Sequence, residues 1–222
     1  MDPERWNSLL YPYIGGSVTA ALLPQLETYL DLLLRWNQKM NLTAIRNSED
    51  IIRRHFGESL FVARHIQNVP RGTLGSPESK NVPRGTFSLL DHGSGAGFPG
   101  LPIALARPEL AVTLSESQQK KAAFLREVVR SLGATNITVH AARTEALPAE
   151  MRFQWVTLRA VDDPDASYPI AAARVAPGGG LMALESARSS TLPALRKLGL
   201  IESDSWLIPN SESALRLYTR SN

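Results

Sequence analysis

Apolar residues near the N-terminus recur with the spacing of an α-helix. Leucines at i, i+4, i+8 and i+11 share one face of a helix predicted over residues 18–37. These leucines are Leu22, Leu26, Leu30 and Leu33. A second helix is predicted to begin at Asn47 or Ser48, because both side chains can cap a helix and two acidic residues follow in the first turn. Its buried face is expected to contain Ile52, Phe56, Ser59, Leu60 and Ala63.

From residue 87 the pattern changes to short apolar runs that alternate with helical segments. Five strands are predicted, over 87–92, 111–116, 136–141, 155–160 and 180–185. The clearest helix between them covers 118–132 and is expected to end at Gly133. Strands that alternate with helices indicate a parallel sheet, because parallel neighbours need long crossover connections.

The last part of the chain departs from this alternation. After a helix predicted near 190–198, residues 200–208 and 213–220 have the pattern of two strands joined by Pro209-Asn210. So short a connection cannot make a parallel crossover, and the pair is expected to be antiparallel. The prediction is therefore an α/β fold with a mostly parallel, seven-stranded sheet and a C-terminal antiparallel hairpin. This is the Rossmann-like architecture of class I methyltransferases, preceded here by an N-terminal helical extension.

Charge and composition divide the chain into three parts. We predict a basic helical extension over 1–67, a Pro/Gly-rich linker over 68–86 that contains NVPRGT twice, and a methyl-donor-binding domain over 87–222. Residues 33–90 carry nine Lys/Arg and four Asp/Glu, whereas the whole chain has a formal net charge of +3. A basic segment on a near-neutral body is typical of nucleic-acid-binding proteins, but a solvated helix face gives the same pattern. Charge alone leaves both interpretations open.

Composition also excludes several kinds of site. The 222 residues include no Cys, which excludes disulfides, thiolate catalysis and Cys-ligated metals. The four His do not form an HExxH-type pair, so no metal site is expected. No apolar run reaches the length of a membrane span and the N-terminus lacks a basic n-region, so we expect a soluble, cytoplasmic protein.

The strongest local signal is the loop DHGSGAGFPG at residues 91–100, which follows a predicted strand and precedes a helix. Glycines there permit positive φ angles and let a ligand approach the backbone. The spacing Gly95-x-Gly97-x-x-Gly100 satisfies the dinucleotide fingerprint, and the same loop also has the Asp-x-Gly-x-Gly-x-Gly form of a methyl-donor loop, from Asp91 to Gly97. A tight turn without a ligand is the third interpretation.

Two charged residues end neighbouring strands of the predicted sheet. Glu116 ends the second strand, where a carboxylate can accept hydrogen bonds from the ribose hydroxyls of S-adenosylmethionine or of NAD. Arg159 ends the fourth strand at the same carboxyl edge. Its position is consistent either with ligand binding or with an ordinary surface ion pair.

Several motifs together resemble a known family. They are WNQKMNLTAI at 36–45, Arg54-His55-Phe56, GSGAGFPG at 93–100, TLSES at 113–117 followed by Lys120-Lys121, Arg159-Ala160, and PGG at 177–179. In this order they look like the RsmG family, also called GidB, of small-subunit ribosomal RNA guanine-N7 methyltransferases. The resemblance extends over residues 18–185 of the chain. Four departures from the family pattern are Glu58 in place of Asp, His92 in place of Val, Gln154-Trp155 in place of an acidic residue, and Glu185-Ser186 in place of Lys-Gly.

The resemblance implies S-adenosyl-L-methionine as cofactor, N7 of a guanine in 16S ribosomal RNA as the methylated atom, and a monomer that acts on that RNA or on the small subunit. The implied cofactor-binding residues are Gly93, Ser94, Gly95, Gly97, Phe98, Glu116, Thr144, Glu145 and Arg159. The candidate catalytic residues are Arg159, Asn41 and His55. The candidate RNA-binding residues are Arg53, Arg54, Arg64, Lys120 and Lys121.

Guanine N7 carries a lone pair and no proton, so methylation there needs no general base. That agrees with a chain that has no evident Ser-His-Asp or Cys-His set. Phe98 or Trp36 could stack on the target base, although Trp36 continues the leucine stripe and is expected in the core. Two alternatives stay open, namely a catalytically impaired RNA-binding relative and an NAD-binding oxidoreductase.

Overall fold

The computed structural model describes residues 1–66, 87–160, 163–188 and 193–220. The predicted linker over 68–86 and both copies of NVPRGT lie outside the described residues. The proposed division of the chain into an extension, a linker and a donor-binding domain therefore stays a prediction.

The N-terminal part of the chain is helical, as predicted. It contains α1 (Pro3–Ile14), α2 (Leu23–Asn37), α3 (Ser48–Ile51), a π-helical turn (Ile52–Gly57) and α4 (Glu58–His65). Helix α1 was not predicted, although its ends carry clear signals. The Asp2 carboxylate accepts a hydrogen bond from the Arg5 backbone N–H at 2.8 Å, and Gly15 closes the helix at φ 67°. An internal proline, Pro12, interrupts the sequence signal.

Helix α2 begins later than predicted, at Leu23 rather than near residue 18, with Pro24 in its first turn. The predicted cap of the next helix is confirmed, because the Asn47 side chain accepts hydrogen bonds from the backbone of Glu49 and Asp50 at 2.9 and 3.2 Å. Its predicted inner face is buried as expected. The π-helical turn that follows was not predicted, and such turns are frequent at functional sites.

The sheet has the seven strands that the sequence predicts. They are β1 (Phe87–His92), β2 (Leu110–Ser115), β3 (Ile137–His140), β4 (Phe153–Arg159), β5 (Val175–Ser186), β6 (Leu200–Leu207) and β7 (Ser213–Arg220). Their order is β3-β2-β1-β4-β5-β7-β6, parallel from β3 to β5 and antiparallel in the pairs β5–β7 and β6–β7. The mostly parallel α/β sheet with an antiparallel C-terminal hairpin is thus confirmed. The strand order reverses between β1 and β4, which is where ligands bind in open α/β sheets.

Helices and one short turn connect the strands. They are α5 (Gly100–Ala106), α6 (Gln119–Leu132), a 3-10 turn (Thr144–Ala146), α7 (Pro164–Ala173) and α8 (Pro193–Lys197). Gly133 ends α6 at φ 60°, as predicted. Helix α7 has its N-cap at Asp163. The Asp163 carboxylate accepts a hydrogen bond from the Ala166 backbone N–H at 3.1 Å, and Pro164 occupies the first helical position, which proline favours.

The N-terminal helices pack directly on the glycine-rich loop through aromatic side chains. The ring of Tyr29 lies 5.2 Å from that of Phe56 and 5.1 Å from that of Phe98, measured between centroids. Trp36 packs on Phe124 of α6 at 5.6 Å and is partly buried against the core in which it was expected. The extension is therefore joined to the sheet by a continuous hydrophobic core. Among the described residues, none of the helices has both the length and the hydropathy to cross a membrane.

Candidate functional site

The glycine-rich loop leaves β1 at the carboxyl edge of the sheet and divides into an open half and a packed half. Gly93, Gly95 and Gly97 have φ angles of 68°, 57° and 94°. A Cβ at Gly93 would meet no atom within 4 Å, and one at Gly95 would meet only the Gly93 carbonyl at 3.9 Å. A Cβ at Gly97 would lie 2.6 Å from the Tyr29 hydroxyl. The first two glycines thus border free space that a ligand could fill, whereas Gly97 is required by packing.

Asp91 anchors the loop from inside. Its Oδ2 accepts a hydrogen bond from the Gly100 backbone N–H at 3.1 Å, and its Oδ1 accepts one from the Thr157 hydroxyl at 2.8 Å. Burial raises the pKa of Asp91 to about 6, and these hydrogen bonds oppose that shift. The Ser94 hydroxyl donates to the Asp91 carbonyl at 3.0 Å. Asp91 and Ser94 therefore hold the loop in shape.

Glu116 lies directly after β2, which ends one residue earlier than predicted, and it connects two loops. Its Oε2 accepts from the Gly95 backbone N–H at 2.8 Å, and its Oε1 accepts from the Gln118 backbone N–H at 2.7 Å. The residue is only 6% exposed. Each carboxylate oxygen keeps a further lone pair, so hydroxyl groups of a ligand can still be accepted beside Gly95.

Thr144 and Glu145 form the 3-10 turn that follows β3. Thr144 is buried, whereas Glu145 is exposed. An arginine that the sequence did not single out holds this turn. The Arg174 guanidinium, at the end of α7, donates to the carbonyls of Thr144 and Leu147 at 3.1 and 3.0 Å. No local pattern marks Arg174, because its partners lie about thirty residues earlier in the chain.

Arg159 occupies the end of β4, as predicted, and forms a buried ion pair that was not predicted. Its Nη2 lies 2.8 Å from Oε2 of Glu58 and donates to the Arg54 carbonyl at 2.7 Å. The side chains of Arg159 and Glu58 are 12% and 2% exposed. The Ser211 hydroxyl, between β6 and β7, donates to Oε1 of Glu58 at 2.9 Å. Glu58 therefore joins the helical extension, β4 and the C-terminal hairpin at one point.

His55 lies on the π-helical turn beside this ion pair. Its Nε2 is 2.7 Å from the Thr43 hydroxyl, and its ring stacks on Phe98 with centroids 4.8 Å apart. Burial lowers the pKa of His55 to about 3, with further lowering by the charges of Arg159 and Arg54. The imidazole is therefore neutral at physiological pH. It borders the site as an uncharged group.

Two buried polar atoms near this point lack partners within the described ranges of the chain, namely Nη1 of Arg159 and Nδ1 of His55. Buried polar atoms are nearly always hydrogen-bonded, so unpaired ones next to the edge of the sheet where ligands bind need an explanation. Both belong to residues that the sequence selected as candidate catalytic residues. Arg159 lies at the carboxyl edge of the sheet and His55 beside it, so both atoms can form a hydrogen bond with a polar ligand bound there.

Asn41 and Phe98 are placed differently from the expectation. Asn41 is exposed, and its Oδ1 accepts from Nη2 of Arg46 at 3.1 Å. The contact from its segment to His55 is made by Thr43 instead, which the sequence did not single out. Phe98 is 8% exposed and lies in the aromatic cluster with Tyr29. Its ring is therefore not open to stack on a base.

The candidate RNA-binding residues lie on separate surfaces. Arg53 pairs with Glu49 and Asp50 at 3.0 and 3.2 Å, so much of its charge is balanced locally. Arg54 has a side chain that is 54% exposed, 3.5 Å from Oε1 of Glu58. Two of the remaining three, Arg64 and Lys120, are exposed, and Lys121 is half-buried. Both lysines belong to the first turn of α6, directly after the Glu116 loop.

Two departures from the family pattern are accommodated in the interior. The Glu185 side chain is 12% exposed, and its Oε1 accepts from the Tyr218 hydroxyl at 2.9 Å. Burial and the neighbouring Glu185 raise the pKa of Tyr218. Trp155 is 4% exposed and packs in the core. Among the described residues, there is no group of three or more His, Cys, Asp or Glu that could hold a metal ion.

The geometry agrees with comparisons to known proteins. The family GidB, described as rRNA small subunit methyltransferase G, matches residues 22–192. A ribosomal RNA small subunit methyltransferase G from Xylella fastidiosa (strain M23) is 39% identical over 187 residues, which cover 84% of this chain and 80% of that protein. The protein of the same name from Stenotrophomonas maltophilia (strain K279a) is 40% identical over 166 residues, covering 75% and 70%.

Solved structures support the fold. A variant of the 16S rRNA (adenine(1408)-N(1))-methyltransferase from Catenulisporales acidiphilia aligns with a TM-score of 0.50 at 17% identity. The alignment covers 61% of this chain and 85% of that one. At this level of identity the similarity concerns the architecture of the sheet and its helices, and not the reaction.

Proposed function

Since this chain belongs to the GidB family of rRNA small subunit methyltransferase G proteins, we propose that it transfers a methyl group from S-adenosylmethionine to N7 of a guanine in 16S ribosomal RNA. The observation that carries the proposal is the position of the open glycine loop. It lies at the strand-order reversal, within the residues that match the family, and the helical extension covers it from one side. The proposed substrate would place the protein in the cytoplasm.

The residues at the carboxyl edge fit this methyl donor. The free space beside Gly93 and Gly95 admits a ligand close to the backbone, and Glu116 can accept hydrogen bonds from ribose hydroxyls. Thr144 and Glu145 border the same edge after β3. When bound, S-adenosylmethionine supplies an electrophilic methyl group on a sulfonium. The protein's part is to bind, orient and desolvate the reacting groups.

Arg159 is the residue we assign to the acceptor base. Guanine presents N7 and O6 as adjacent acceptors, and arginine is their commonest partner. The unpaired Nη1 of Arg159 is a buried donor that could contact O6 while N7 stays free to react. Glu58 holds the other edge of the guanidinium at 2.8 Å and thereby fixes its orientation. The neutral His55 adds no charge and removes no proton, which is consistent with an acceptor atom that carries none.

The target guanine must be accessible from outside a regular helix. N7 lies in the deep, narrow major groove of A-form RNA, which side chains cannot enter. We therefore expect a guanine in a loop or one that is turned out of its stack. Exposed Arg64 and Lys120, with Lys121, would contact phosphates around it.

The proposal is tested by methyl transfer from radiolabelled S-adenosylmethionine to small ribosomal subunits from a strain that lacks this gene. We expect N7-methylguanosine at one position of the 16S RNA, identified by nuclease digestion and mass spectrometry. Arg159→Ala should reduce single-turnover transfer by about 100-fold, because misplaced reacting groups cost that much in rate. Naked 16S RNA serves as a parallel substrate and shows whether assembly is needed.

Three outcomes would contradict the proposal. Methylation of another atom would change the reaction, and binding of NAD in place of S-adenosylmethionine would favour an oxidoreductase. Tight binding of the subunit without any transfer would favour an RNA-binding relative that has lost activity. A matched control is Arg130→Ala, which removes an exposed arginine of α6 that is paired with Glu127 at 3.1 Å and to which no role in the site is assigned.

A further inference from the structure

His92 is a polar residue of the donor edge that the proposed mechanism does not use. It is the last residue of β1, between the anchoring Asp91 and the open Gly93. Its Nδ1 lies 2.8 Å from the hydroxyl of Thr144 in the 3-10 turn after β3. The ring therefore lies near the ends of β1, β2 and β3, and its chain neighbour Gly93 borders free space.

A chain of hydrogen bonds fixes which ring nitrogen carries the proton. The Ala142 carbonyl can only accept, so the Ser115 hydroxyl donates to it at 3.2 Å. Thr144 must then donate its own hydrogen to Ser115, at 2.9 Å. Because the Thr144 hydrogen is used in that bond, Nδ1 of His92 must be the donor to Thr144.

The second ring nitrogen is left as a bare acceptor. Burial lowers the pKa of His92, and the charge of Glu145 opposes that shift without cancelling it. The ring is therefore neutral at pH 7, with a hydrogen on Nδ1 and a lone pair on Nε2. No hydrogen bond to Nε2 is present in the parts of the chain that the structure describes.

We propose that Nε2 of His92 accepts a hydrogen bond from the adenosine part of the bound methyl donor. The group that it receives is an N–H or O–H, since a bare imidazole nitrogen can only accept. The adenine amino group and the ribose hydroxyls both have this chemistry. The inference rests on the proposed donor site, and it adds to that site a side-chain acceptor at the end of β1.

The proposal has a consequence for pH. Protonation of Nε2 turns this hydrogen-bond acceptor into a hydrogen-bond donor. The affinity for the methyl donor should therefore fall as the pH drops below the pKa of His92. For one proton released on binding, the limiting slope is about tenfold per pH unit. Among the charged groups at this edge of the sheet, Glu145 after β3 acts on the ring, Glu116 follows β2, Arg159 ends β4, and the neighbouring Asp91 has a pKa of about 6. The pH dependence of ligand affinity that His92 causes is therefore measured as the difference between the wild type and a variant that lacks His92.

Two variants separate the contact with the ligand from the contact with Thr144. His92→Asn keeps a donor near the position of Nδ1 and removes the distal acceptor. His92→Gln can place an oxygen near the position of Nε2, and this oxygen does not titrate. His140→Asn is the matched control, because His140 ends β3 at the same edge and its Nε2 lies 3.2 Å from the Arg143 carbonyl.

The experiment is calorimetric titration of the full-length protein with S-adenosylhomocysteine between pH 5 and 8, with a melting curve for each variant. At pH 7.5 we expect His92→Asn to bind about two- to tenfold more weakly, the value of one hydrogen bond. His92→Gln should bind nearly as well as the wild type but lose the extra pH dependence. His140→Asn should follow the wild type throughout.

Analogues identify the ligand group. If the adenine amino group is the donor, the wild type should bind S-inosylhomocysteine more weakly, and His92→Asn should not distinguish the two ligands. If a ribose hydroxyl is the hydrogen-bond donor, the wild type should bind the 2′-deoxy or the 3′-deoxy analogue more weakly than S-adenosylhomocysteine, and His92→Asn should bind both ligands equally. Equal affinity and equal pH profiles for wild type and His92→Asn would overturn the inference alone. No binding of S-adenosylhomocysteine to the wild type would overturn the donor site itself.

Discussion

Glu58→Gln tests whether the contact between the helical extension, β4 and the C-terminal hairpin depends on the buried ion pair of Glu58 and Arg159. The change removes the negative charge that faces Nη2 of Arg159 at 2.8 Å and keeps nearly the same shape. The Arg159 guanidinium would then stay buried without this counter-ion, with the Arg54 carbonyl and the neutral glutamine oxygen as hydrogen-bond acceptors. A buried charge that has lost its counter-ion is expensive, because water cannot replace the partner.

The magnitude follows from the exposure of the two side chains. At 2% and 12% exposed, Glu58 and Arg159 are in the range where removal of one partner costs about 3–5 kcal/mol. The glutamine can still accept from Ser211 or from Arg159, so we expect the lower end, about 3 kcal/mol of unfolding free energy. In a protein of this size that corresponds to a melting temperature about 6–12 °C lower.

The assay is urea denaturation, followed by circular dichroism and tryptophan fluorescence, at pH 7.5. Glu49→Gln is the matched control, because Glu49 is 31% exposed and pairs with Arg5 and Arg53, which are 43% and 35% exposed. It should destabilise the protein much less than Glu58→Gln, because ion pairs that stay in contact with water contribute little to stability. A double-mutant cycle of Glu58→Gln with Arg159→Met isolates the pair. If Glu58→Gln costs no more than Glu49→Gln, or if the cycle shows no coupling, the pair is not desolvated and the reasoning is wrong.

Two further predictions concern the loop and the neighbouring histidine. Gly95→Val should abolish calorimetric binding of S-adenosylhomocysteine. The control is Gly133→Val, where the glycine has a similar positive φ and also borders open space, and this variant should lose stability only. Binding of S-adenosylhomocysteine by Gly95→Val would exclude the loop as the site. Between pH 7 and pH 5 the wild type should lose about 2 kcal/mol of stability relative to His55→Gln. The sign follows because the pKa of His55 is about 3 in the folded state and about 6.5 in the unfolded chain, so the unfolded chain gains the proton first as the pH falls. Denaturation midpoints that change equally with pH in the wild type and in His55→Gln would contradict this prediction.

The parts of the fold that follow from local signals were predictable. The Asn47 cap, the end of α6 at Gly133 and the strands of the sheet each depend on a few consecutive residues. The position of Arg159 at the ligand edge also followed, because the carboxyl ends of parallel strands meet there. The π-helical turn did not follow, since its widening depends on packing, and a Cβ at Gly57 would lie 2.7 Å from the Tyr13 ring.

The contacts that build the site could not be predicted from the sequence, because each joins residues that are far apart along the chain. The partners Glu58 and Arg159 are about a hundred residues apart, and nothing near Arg174 points to the turn at Thr144. The departure at Glu58 could be noticed, but its buried partner could not. Tertiary hydrogen bonds of this kind have no local periodicity, whereas strands and caps do.

These long-range contacts give the helical extension a direct part in the donor site. Tyr29 of α2 donates to the Ala96 carbonyl inside the glycine loop, and the ring of His55 stacks on Phe98 of the same loop. Glu58 holds Arg159 from the opposite side. The loop is therefore enclosed between the sheet and the extension, and its shape depends on both. A segment whose charge pattern suggested only RNA binding thus also supports the surface on which the methyl donor is proposed to lie.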